Sequence, residues 1–176
     1  MQKNIHFIGI GGIGVSALAR YYLGNGFKIS GSDIASSEIT DAMKKLGAKI
    51  YIGEHSEKNL PANTELVIYS PAVSLSNPEI KKTKKQGIKI QSYPQALGDL
   101  TKTHFTIAVS GTHGKSTTTS MLGLLLTKAN FDPTVIVGTK LNEFGNSNCR
   151  IGKSQILVIE ADEHFGSFLN YSPKII

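Results

Sequence analysis

Short apolar segments of strand length alternate with segments of helical periodicity over the first hundred residues. The pattern predicts strands at residues 4–8, 27–30, 49–52, 66–69 and 88–90. It predicts helices at residues 13–23, 39–46, 78–86 and 94–100, several of them closed by glycine. Because short strands that alternate with helices form parallel βαβ units, we expect an α/β, Rossmann-like domain with a parallel sheet over residues 1–102.

The alternation begins again near residue 103. It predicts a strand at 103–110, a helix at 115–129 and strands at 134–137 and 156–159, with a long polar loop over 138–153. The last residues, Pro173 to Ile176, are typical of the opening of another buried strand. We therefore interpret residues 103–176 as the first part of a second α/β domain that is cut short.

Composition and charge narrow the class of protein. Hydrophobic residues make up 40% of the chain and charged residues 18%, the balance of a globular protein. The net charge of +6 favours anionic ligands. The basic cluster at residues 81–85 has no aromatic residue for base stacking, so we interpret it as a solvated helix face and expect no nucleic-acid partner.

The cysteine content and the apolar N-terminal segment indicate the cellular compartment of the protein. The single cysteine, Cys149, cannot form an internal disulfide and shows no nucleophile signature, which favours a structural role and a cytoplasmic protein. Residues 5–23 are broken by glycines and by Arg20, so we expect neither a signal peptide nor a membrane anchor.

The first candidate site is the motif Gly9-x-Gly11-x-x-Gly14 between a predicted strand and helix, with Asp33 nineteen positions further on. Such glycines make a tight turn, admit a diphosphate to the backbone and let the helix pack closely, while the acid accepts from a ribose hydroxyl. The motif alone suggests an NAD-dependent oxidoreductase. A dinucleotide fold needs two mononucleotide-binding halves, and the alternation restarts too early for both, so one nucleotide diphosphate fits better. The alternative is that these glycines form a turn with a structural role and no ligand.

The second candidate site is Gly111-Thr112-His113-Gly114-Lys115-Ser116, again between a strand and a helix. Backbone amides of such a loop cradle phosphates, Lys115 reaches the β- and γ-phosphates, and the Ser116 hydroxyl holds Mg²⁺. The standard pattern would place its first glycine at Val109, so the motif is incomplete. We interpret it as a P-loop, which makes the second domain a truncated P-loop α/β domain, and we expect His113 to be no catalyst.

An acidic segment, Glu160-Ala161-Asp162-Glu163, follows the last predicted strand. A carboxylate at the end of a strand beside a P-loop is where the Mg²⁺ of a nucleotide is held. Glu160 is the expected ligand, although acids after strands are also common turn residues.

These segments together resemble the Mur ligases, the ATP-dependent amino-acid ligases of bacterial cell-wall synthesis. The N-terminal match lies in residues 5–16, 31–33, 70–73 and 77–79. Residues 109–119 match the family's own version of the ATP loop, which accounts for the missing first glycine. Residues 138–145, 160–163 and 166–169 continue the match, so that the resemblance covers essentially the whole chain.

The resemblance implies a three-domain enzyme. Its N-terminal domain binds UDP-N-acetylmuramate, its central domain binds Mg-ATP, and a C-terminal domain, absent here, binds L-alanine. In the family, the substrate carboxylate attacks the γ-phosphate of ATP to give an acyl phosphate, from which the amine of the amino acid displaces phosphate. Because the later central segments and the C-terminal domain are absent, we expect no turnover by this chain alone.

The resemblance also implies roles for individual residues. The UDP-sugar is expected at Gly11, Gly12, Ile13, Gly14, Asp33, His55, Ser70, Pro71 and Ala72. ATP is expected at Gly111, Thr112, His113, Gly114, Lys115, Ser116 and Thr117. Mg²⁺ is expected at Ser116 and Glu160, with Lys115 and Glu160 as the catalytic residues.

Two alternatives stay open within this interpretation. A recycling ligase that adds a tripeptide to UDP-N-acetylmuramate has a similar N-terminal domain and ATP loop, although residues 166–169 favour the member that adds L-alanine. A stand-alone UDP-sugar-binding module is the reading without enzymatic activity. His164-Phe165 depart from the small polar residue and acid that many of these ligases have there, so no role is assigned just after Glu163.

Overall fold

A computed structural model describes residues 3–162 and 164–176, without the side chains of His164 and Phe165. The chain divides into two compact units, one up to Tyr93 and one from Pro94 onward. None of the helices in the described ranges combines the length and hydropathy needed to span a bilayer.

The first unit is built on a five-stranded parallel sheet. Its strands are β1 (Asn4–Ile8), β2 (Lys28–Asp33), β3 (Lys49–Ile52), β4 (Leu66–Tyr69) and β5 (Lys89–Ser92), in the order β3-β2-β1-β4-β5. Its helices are α1 (Ile13–Gly24), α2 (Glu38–Lys45) and α3 (Pro78–Lys85), with a 3₁₀ turn at Glu57–Asn59. The predicted Rossmann-like fold is confirmed, and because all its strands are parallel their carboxyl ends lie at one edge of the sheet.

The central strand β1 is covered on both faces, because Ile5, Phe7 and Ile8 are all buried. On one face, Ile8 packs with Leu60, Val67 and Ile80. Continuous apolar strands are what a parallel sheet covered on both sides requires. The lysines of α3 lie mostly exposed while Thr83 is buried, so the basic cluster is a solvated helix face, as predicted.

The second unit is built on a mixed four-stranded sheet. Its strands are β6 (Phe105–Val109), β7 (Thr134–Leu141), β8 (Ser147–Arg150) and β9 (Ile156–Glu160), in the order β6-β9-β7-β8. Its helices are α4 (Tyr93–Thr103) and α5 (Lys115–Lys128), with 3₁₀ turns at Asn142–Phe144 and His164–Asn170. The three parallel strands and α5 follow the predicted pattern, and Cys149 is buried, which fits the structural role expected of it.

The prediction of a long polar loop over residues 138–153 is wrong. β7 continues to Leu141 and returns as the antiparallel strand β8 through a turn in which Gly145 (φ 71°) and Asn146 (φ 57°) are left-handed. Ser147, Asn148 and Cys149 are buried although their side chains do not favour strands. The strand exists because its backbone pairs with β7, and local composition does not report that pairing.

The expected strand opening at the end of the chain is found in part. Ile175 forms a single parallel bridge to Ile107, and its carbonyl accepts from the Ala108 amide at 2.9 Å. The side chains of Ile175 and Ile176 are exposed, so the strand pairing is present without the expected burial.

Candidate functional site

The glycine-rich turn after β1 lies at the carboxyl edge of the first sheet. Gly9 has a φ of 77°, and the amides of Gly9 and Ile10 donate to the Ser32 carbonyl at 2.9 and 3.1 Å. The Gly12 amide donates to the Gly9 carbonyl at 3.2 Å. The turn is therefore fixed by the protein itself, and these amides already have acceptors.

Asp33 takes part in holding this turn. Its Oδ2 accepts from the Gly11 amide at 2.8 Å, and its Oδ1 lies 3.5 Å from the Ala35 amide. The predicted contact between Asp33 and a ribose hydroxyl stays a prediction, since the structure gives this carboxylate a backbone partner. A Cβ on Gly11 would lie 2.9 Å from Asp33 Oδ2, so glycine is needed for this contact.

The amino terminus of α1 is the part of the turn suited to an anion. Its N-cap, Gly12, offers no side-chain hydrogen bond. No described residue accepts from the amides of Gly14 or Val15. Orphan amides and the helix dipole together favour a phosphate there.

The segment after β4 lies beside this turn. The Ser70 amide donates to the Ile8 carbonyl at 2.9 Å, and a Cβ on Gly9 would lie 2.9 Å from Ser70 Cβ. Pro71 and Ala72 are exposed next to it. The structure thus brings the predicted residues of this segment and the glycine turn to one place.

The sequence pattern did not predict a buried polar network that lies beneath the carboxyl edge of the first sheet. The Glu79 side chain is 0% exposed, and its Oε2 accepts from His6 Nε2 at 2.7 Å and from Ser32 Oγ at 2.8 Å. Its Oε1 accepts from His55 Nδ1 at 2.7 Å and from Asn59 Nδ2 at 3.3 Å. His6 Nδ1 lies 2.8 Å from Ser30 Oγ. The only available signal was an apolar strand containing a histidine, followed by Asn77-Pro78-Glu79, which predicts a helix start just as well.

The network controls the ionisation of Glu79. Burial is the largest influence and would raise the pKa of this carboxyl. Hydrogen bonds from His6, His55 and Ser32 outweigh burial, so the pKa of Glu79 lies below its ordinary value. The carboxylate is therefore an ionised acceptor with a full set of donors.

The loop between β6 and α5 has the geometry of an anion-binding helix start. Gly111 (φ 140°) and Gly114 (φ 79°) are left-handed, and Gly114 caps α5 without a side-chain hydrogen bond. Among the described residues, none accepts from the amides of Thr112, His113, Gly114 or Ser116. Lys115 Nζ donates to the Gly111 carbonyl at 2.9 Å, across the mouth of the loop.

Glu160 ends the strand beside this loop. It pairs in register with Val109, and its Oε1 accepts from the Gly138 amide at 2.8 Å. A Cβ on Gly138 would lie 2.9 Å from Glu160 Oε2, so glycine lets the carboxylate lie against the β7 backbone. Glu163, the last residue of the predicted acidic segment, lies outside the described residues, as do the side chains of His164 and Phe165.

A cavity of about 500 Å³ adjoins the loop of the second unit. Its lining residues are Ala108, Ser110, Gly111, Thr112, Ala161, Phe168, Tyr171, Pro173 and Ile176. Burial, followed by the negative charge of Asp162, raises the pKa of the Tyr171 phenol, which keeps it neutral and able to donate. The loop therefore faces a space large enough for part of a nucleotide.

The oxygen ligands available near this loop fit Mg²⁺. The described residues contain no group of three His, Cys, Asp or Glu side chains that could hold a metal ion alone. Mg²⁺ is normally held by one or two protein oxygens together with phosphates and water. A Ser116 hydroxyl and a Glu160 carboxylate are donors of that kind.

The fold and these two helix starts define an α/β protein with a Rossmann-like sheet and a P-loop-like turn. The model of the Mur ligase family, catalytic domain, matches residues 4–105. The chain belongs to the Mur ligase family.

Several relatives share nearly the whole chain. It is 49% identical over 175 residues to a UDP-N-acetylmuramate–L-alanine ligase of Clostridium botulinum, covering 99% of this chain and 38% of the relative. It is 45% identical over 174 residues to the enzyme of that name from Sulfurihydrogenibium, with the same two coverages. The chain thus spans about two-fifths of the length of the curated relatives that it matches.

Solved structures agree with this assignment. The UDP-N-acetylmuramate–alanine ligase of Thermotoga maritima superimposes with a TM-score of 0.86 at 35% identity, over 97% of this chain and 39% of that one. A UDP-N-acetylmuramate:L-alanyl-γ-D-glutamyl-meso-diaminopimelate ligase from Neisseria meningitides gives 0.88 at 28% identity, over 99% and 59%.

Proposed function

We propose that this chain is the UDP-sugar-binding part and the first portion of the ATP-binding part of a UDP-N-acetylmuramate–L-alanine ligase. Residues 1–102 are assigned to the sugar nucleotide and residues 103–176 to ATP. Identity of 45–49% to relatives of that name, over nearly all 176 residues, supports the assignment. We assign the protein to the cytoplasm, since a chain with one cysteine does not depend on an internal disulfide.

The observation that carries the proposal is the start of α5. Several consecutive amides there have no acceptor among the described residues, the helix dipole adds positive potential, and Lys115 lies over the loop. Gly114, the N-cap of α5, provides no side-chain acceptor for these amides. A bound triphosphate would supply the missing acceptors.

Lys115 and Glu160 have separate tasks in this proposal. Lys115 exchanges its contact with the Gly111 carbonyl for the β- and γ-phosphates. Glu160, held through Oε1 by the Gly138 amide, keeps Oε2 for the cation. Mg²⁺, when bound to Ser116 and Glu160, neutralises phosphate charge.

The sugar nucleotide is assigned to the carboxyl edge of the first sheet. The amides of Gly14 and Val15 offer donors for its diphosphate, and Ser70 to Ala72 border the same turn. His55, whose side chain is 12% exposed, lies at this edge just after β3. The chemistry that follows is transfer of the γ-phosphoryl group of ATP to the sugar carboxylate, for which these residues supply position and charge. L-alanine is assigned to the part of the enzyme beyond this chain.

Calorimetric titration of this chain tests the proposal. We expect UDP-N-acetylmuramate and Mg-ATP to bind independently, and Lys115→Ala to weaken Mg-ATP binding at least tenfold, since charged contacts contribute about 1.5–3 kcal/mol. Lys128→Ala, at the far end of the same helix, is the matched control and should bind ATP normally. Failure of the wild type to bind Mg-ATP would contradict the ATP assignment, and binding of NADH at the first turn would favour an oxidoreductase.

The recycling ligase is a second candidate, because the Neisseria structure matches this chain as well as the Thermotoga structure does. Both enzymes use UDP-N-acetylmuramate, so binding cannot separate them. The full-length protein, incubated with ATP and either L-alanine or the tripeptide, would. The identities of 35% and 28% favour L-alanine.

A further inference from the structure

The carboxylate of Glu79 has all its lone-pair positions occupied by side chains from other elements. His6 and Ser32 occupy Oε2, and His55 and Asn59 occupy Oε1. Glu79 is fully buried, whereas His55 reaches the surface with 12% of its side chain exposed, and Asn59 is partly exposed as well. The network therefore runs from the centre of β1 to the carboxyl edge of the sheet.

The direction of these hydrogen bonds fixes the state of the His55 ring. An ionised carboxylate only accepts, so Nδ1 of His55 must carry the proton of the 2.7 Å contact. Ser32 Oγ lies 3.2 Å from the same nitrogen while donating to Glu79, which leaves Nδ1 as the donor in both contacts. In the neutral ring, Nε2 then holds the lone pair.

His55 presents that lone pair where the sugar nucleotide is assigned. It follows β3 by three residues, and the Gly53 amide donates to the Asp33 carbonyl at 3.0 Å, which ties this segment to the end of β2. No described residue forms a hydrogen bond with Nε2 of His55. A ring that is fixed by the hydrogen bond of Nδ1 to Glu79, and whose Nε2 has no hydrogen bond to a described residue, is suited to accept a hydrogen bond from a ligand.

We propose that Glu79 is a positioning residue for the sugar nucleotide: it holds His55 in the Nδ1–H form, so that Nε2 accepts a hydrogen bond from the nucleoside. The donor is a ribose hydroxyl or the imide N–H of the base. This inference rests on the proposed binding of a UDP-sugar by the first unit.

A purely structural role explains the network less well. Replacement of a buried charged group by apolar side chains is often neutral or stabilising when the whole group is replaced. Ser30 contacts His6 and not the carboxylate, and His6 and Ser32 fill Oε2, whereas His55 adds a link from Oε1 that leads out of the core. That extra link is what a positioning role requires.

A cycle of ligands and variants tests this proposal by calorimetry on the 176-residue chain. The ligands are UDP, 2′-deoxy-UDP, 3′-deoxy-UDP and UDP methylated at N3 of the base. We expect wild type to bind the one that lacks the contacted donor roughly fivefold to tenfold more weakly than UDP, the effect of one hydrogen bond. The identity of that ligand distinguishes ribose from base.

The variants separate positioning from packing. His55→Phe and Glu79→Met should bind UDP and the affected analogue equally. Glu79→Gln keeps a carbonyl acceptor for His55 and should keep the discrimination. Thr83→Val is the matched control, because Thr83 Oγ1 donates to the backbone carbonyl of Glu79 at 2.7 Å without touching the carboxylate. This variant should still discriminate between UDP and the affected analogue.

The tautomer of His55 is measured directly by ¹⁵N NMR of the imidazole, which decides the question even if Glu79→Met does not fold. Nδ1–H in the wild type and in Glu79→Gln supports the proposal. Nε2–H in the wild type, or equal discrimination by wild type, His55→Phe and Glu79→Met, overturns it. If the wild type shows the Nδ1–H form but binds no UDP, the proposed function and the contact between His55 and a nucleoside are both wrong. Only the hydrogen bond by which Glu79 fixes the tautomer of His55 would then stand.

Discussion

Glu79 carries a charge into an otherwise apolar region of the first unit. The backbone amides of Glu79 and Ile80 donate to Asn77 Oδ1 at 2.8 and 3.4 Å. This helix start places the Glu79 side chain under the sheet. His6 donates to it there, and Ser30, the register partner of His6 on the neighbouring strand, lies 2.8 Å from the other nitrogen of the His6 ring. A buried carboxylate is tolerated only because these donors replace the water that it loses.

Acid should therefore weaken the contribution of Glu79 to stability. The pKa of Glu79 in the folded protein lies below 4.5, its ordinary value, so the unfolded chain binds the proton more readily. The stabilisation is fully present above about pH 4.5 and is lost as the pH falls through the lower folded value. We expect Glu79→Gln to be about 1–3 kcal/mol less stable than wild type near pH 7, a difference that shrinks toward pH 3.

Urea unfolding between pH 3 and pH 7 measures this difference. Other carboxylates, such as Asp132 beside Arg150, titrate in both proteins and cancel from the comparison. A difference that stays constant over the range would show that the ionisation of Glu79 does not contribute to folding stability.

At the scale of elements, α5 packs closely on the second sheet through one glycine. Gly123 is buried, and a Cβ there would lie 2.8 and 3.0 Å from the two methyl groups of Val135 on β7. Val135 is itself fully buried and, being β-branched, has few rotamers into which it can withdraw. This contact sets the distance between α5 and the sheet, and with it the place of the loop that precedes α5.

Gly123→Ala should destabilise the second unit although alanine is the better helix former. Helix propensity favours alanine by about 1 kcal/mol, while overpacking against a stiff side chain costs about 1–3 kcal/mol. Thermal unfolding should show a net loss. The exposed Thr118→Ala on the same helix is the control and should be neutral or slightly stabilising. Val135→Ala makes room for the new methyl group, so Gly123→Ala should cost less stability in the Val135→Ala background than in wild type, and an equal cost in both would contradict this explanation.

At the scale of the whole molecule, the chain carries two sheets, each with a helix start that lacks a side-chain cap. If each helix start binds its own ligand, each ligand should stabilise its own unit. A ligand at a hundred times its dissociation constant adds about 2.7 kcal/mol to the stability of the state that binds it.

Hydrogen exchange followed by mass spectrometry can measure this unit by unit. UDP-N-acetylmuramate should slow exchange in peptides from β1, β2 and β4, and Mg-ATP should slow it in peptides from β6, α5 and β9. In Lys115→Ala, only the first effect should remain. Protection of the wrong unit by either ligand would contradict the assignment of the two sites.

The sequence alone determined the repeated alternation of strands and helices, the two glycine turns and the positions of Lys115, Ser116 and Glu160, because periodicity and turn chemistry are local properties of the chain. Only the tertiary structure decided what depends on pairing and burial between distant segments. In the folded protein, residues 147–150 form a strand and the Asp33 carboxylate accepts from the Gly11 amide. His6 and His55 form hydrogen bonds with Glu79. Hydrogen bonds between residues 22 to 73 positions apart leave no periodic trace in a sequence, so the buried network became visible only once the strands lay side by side.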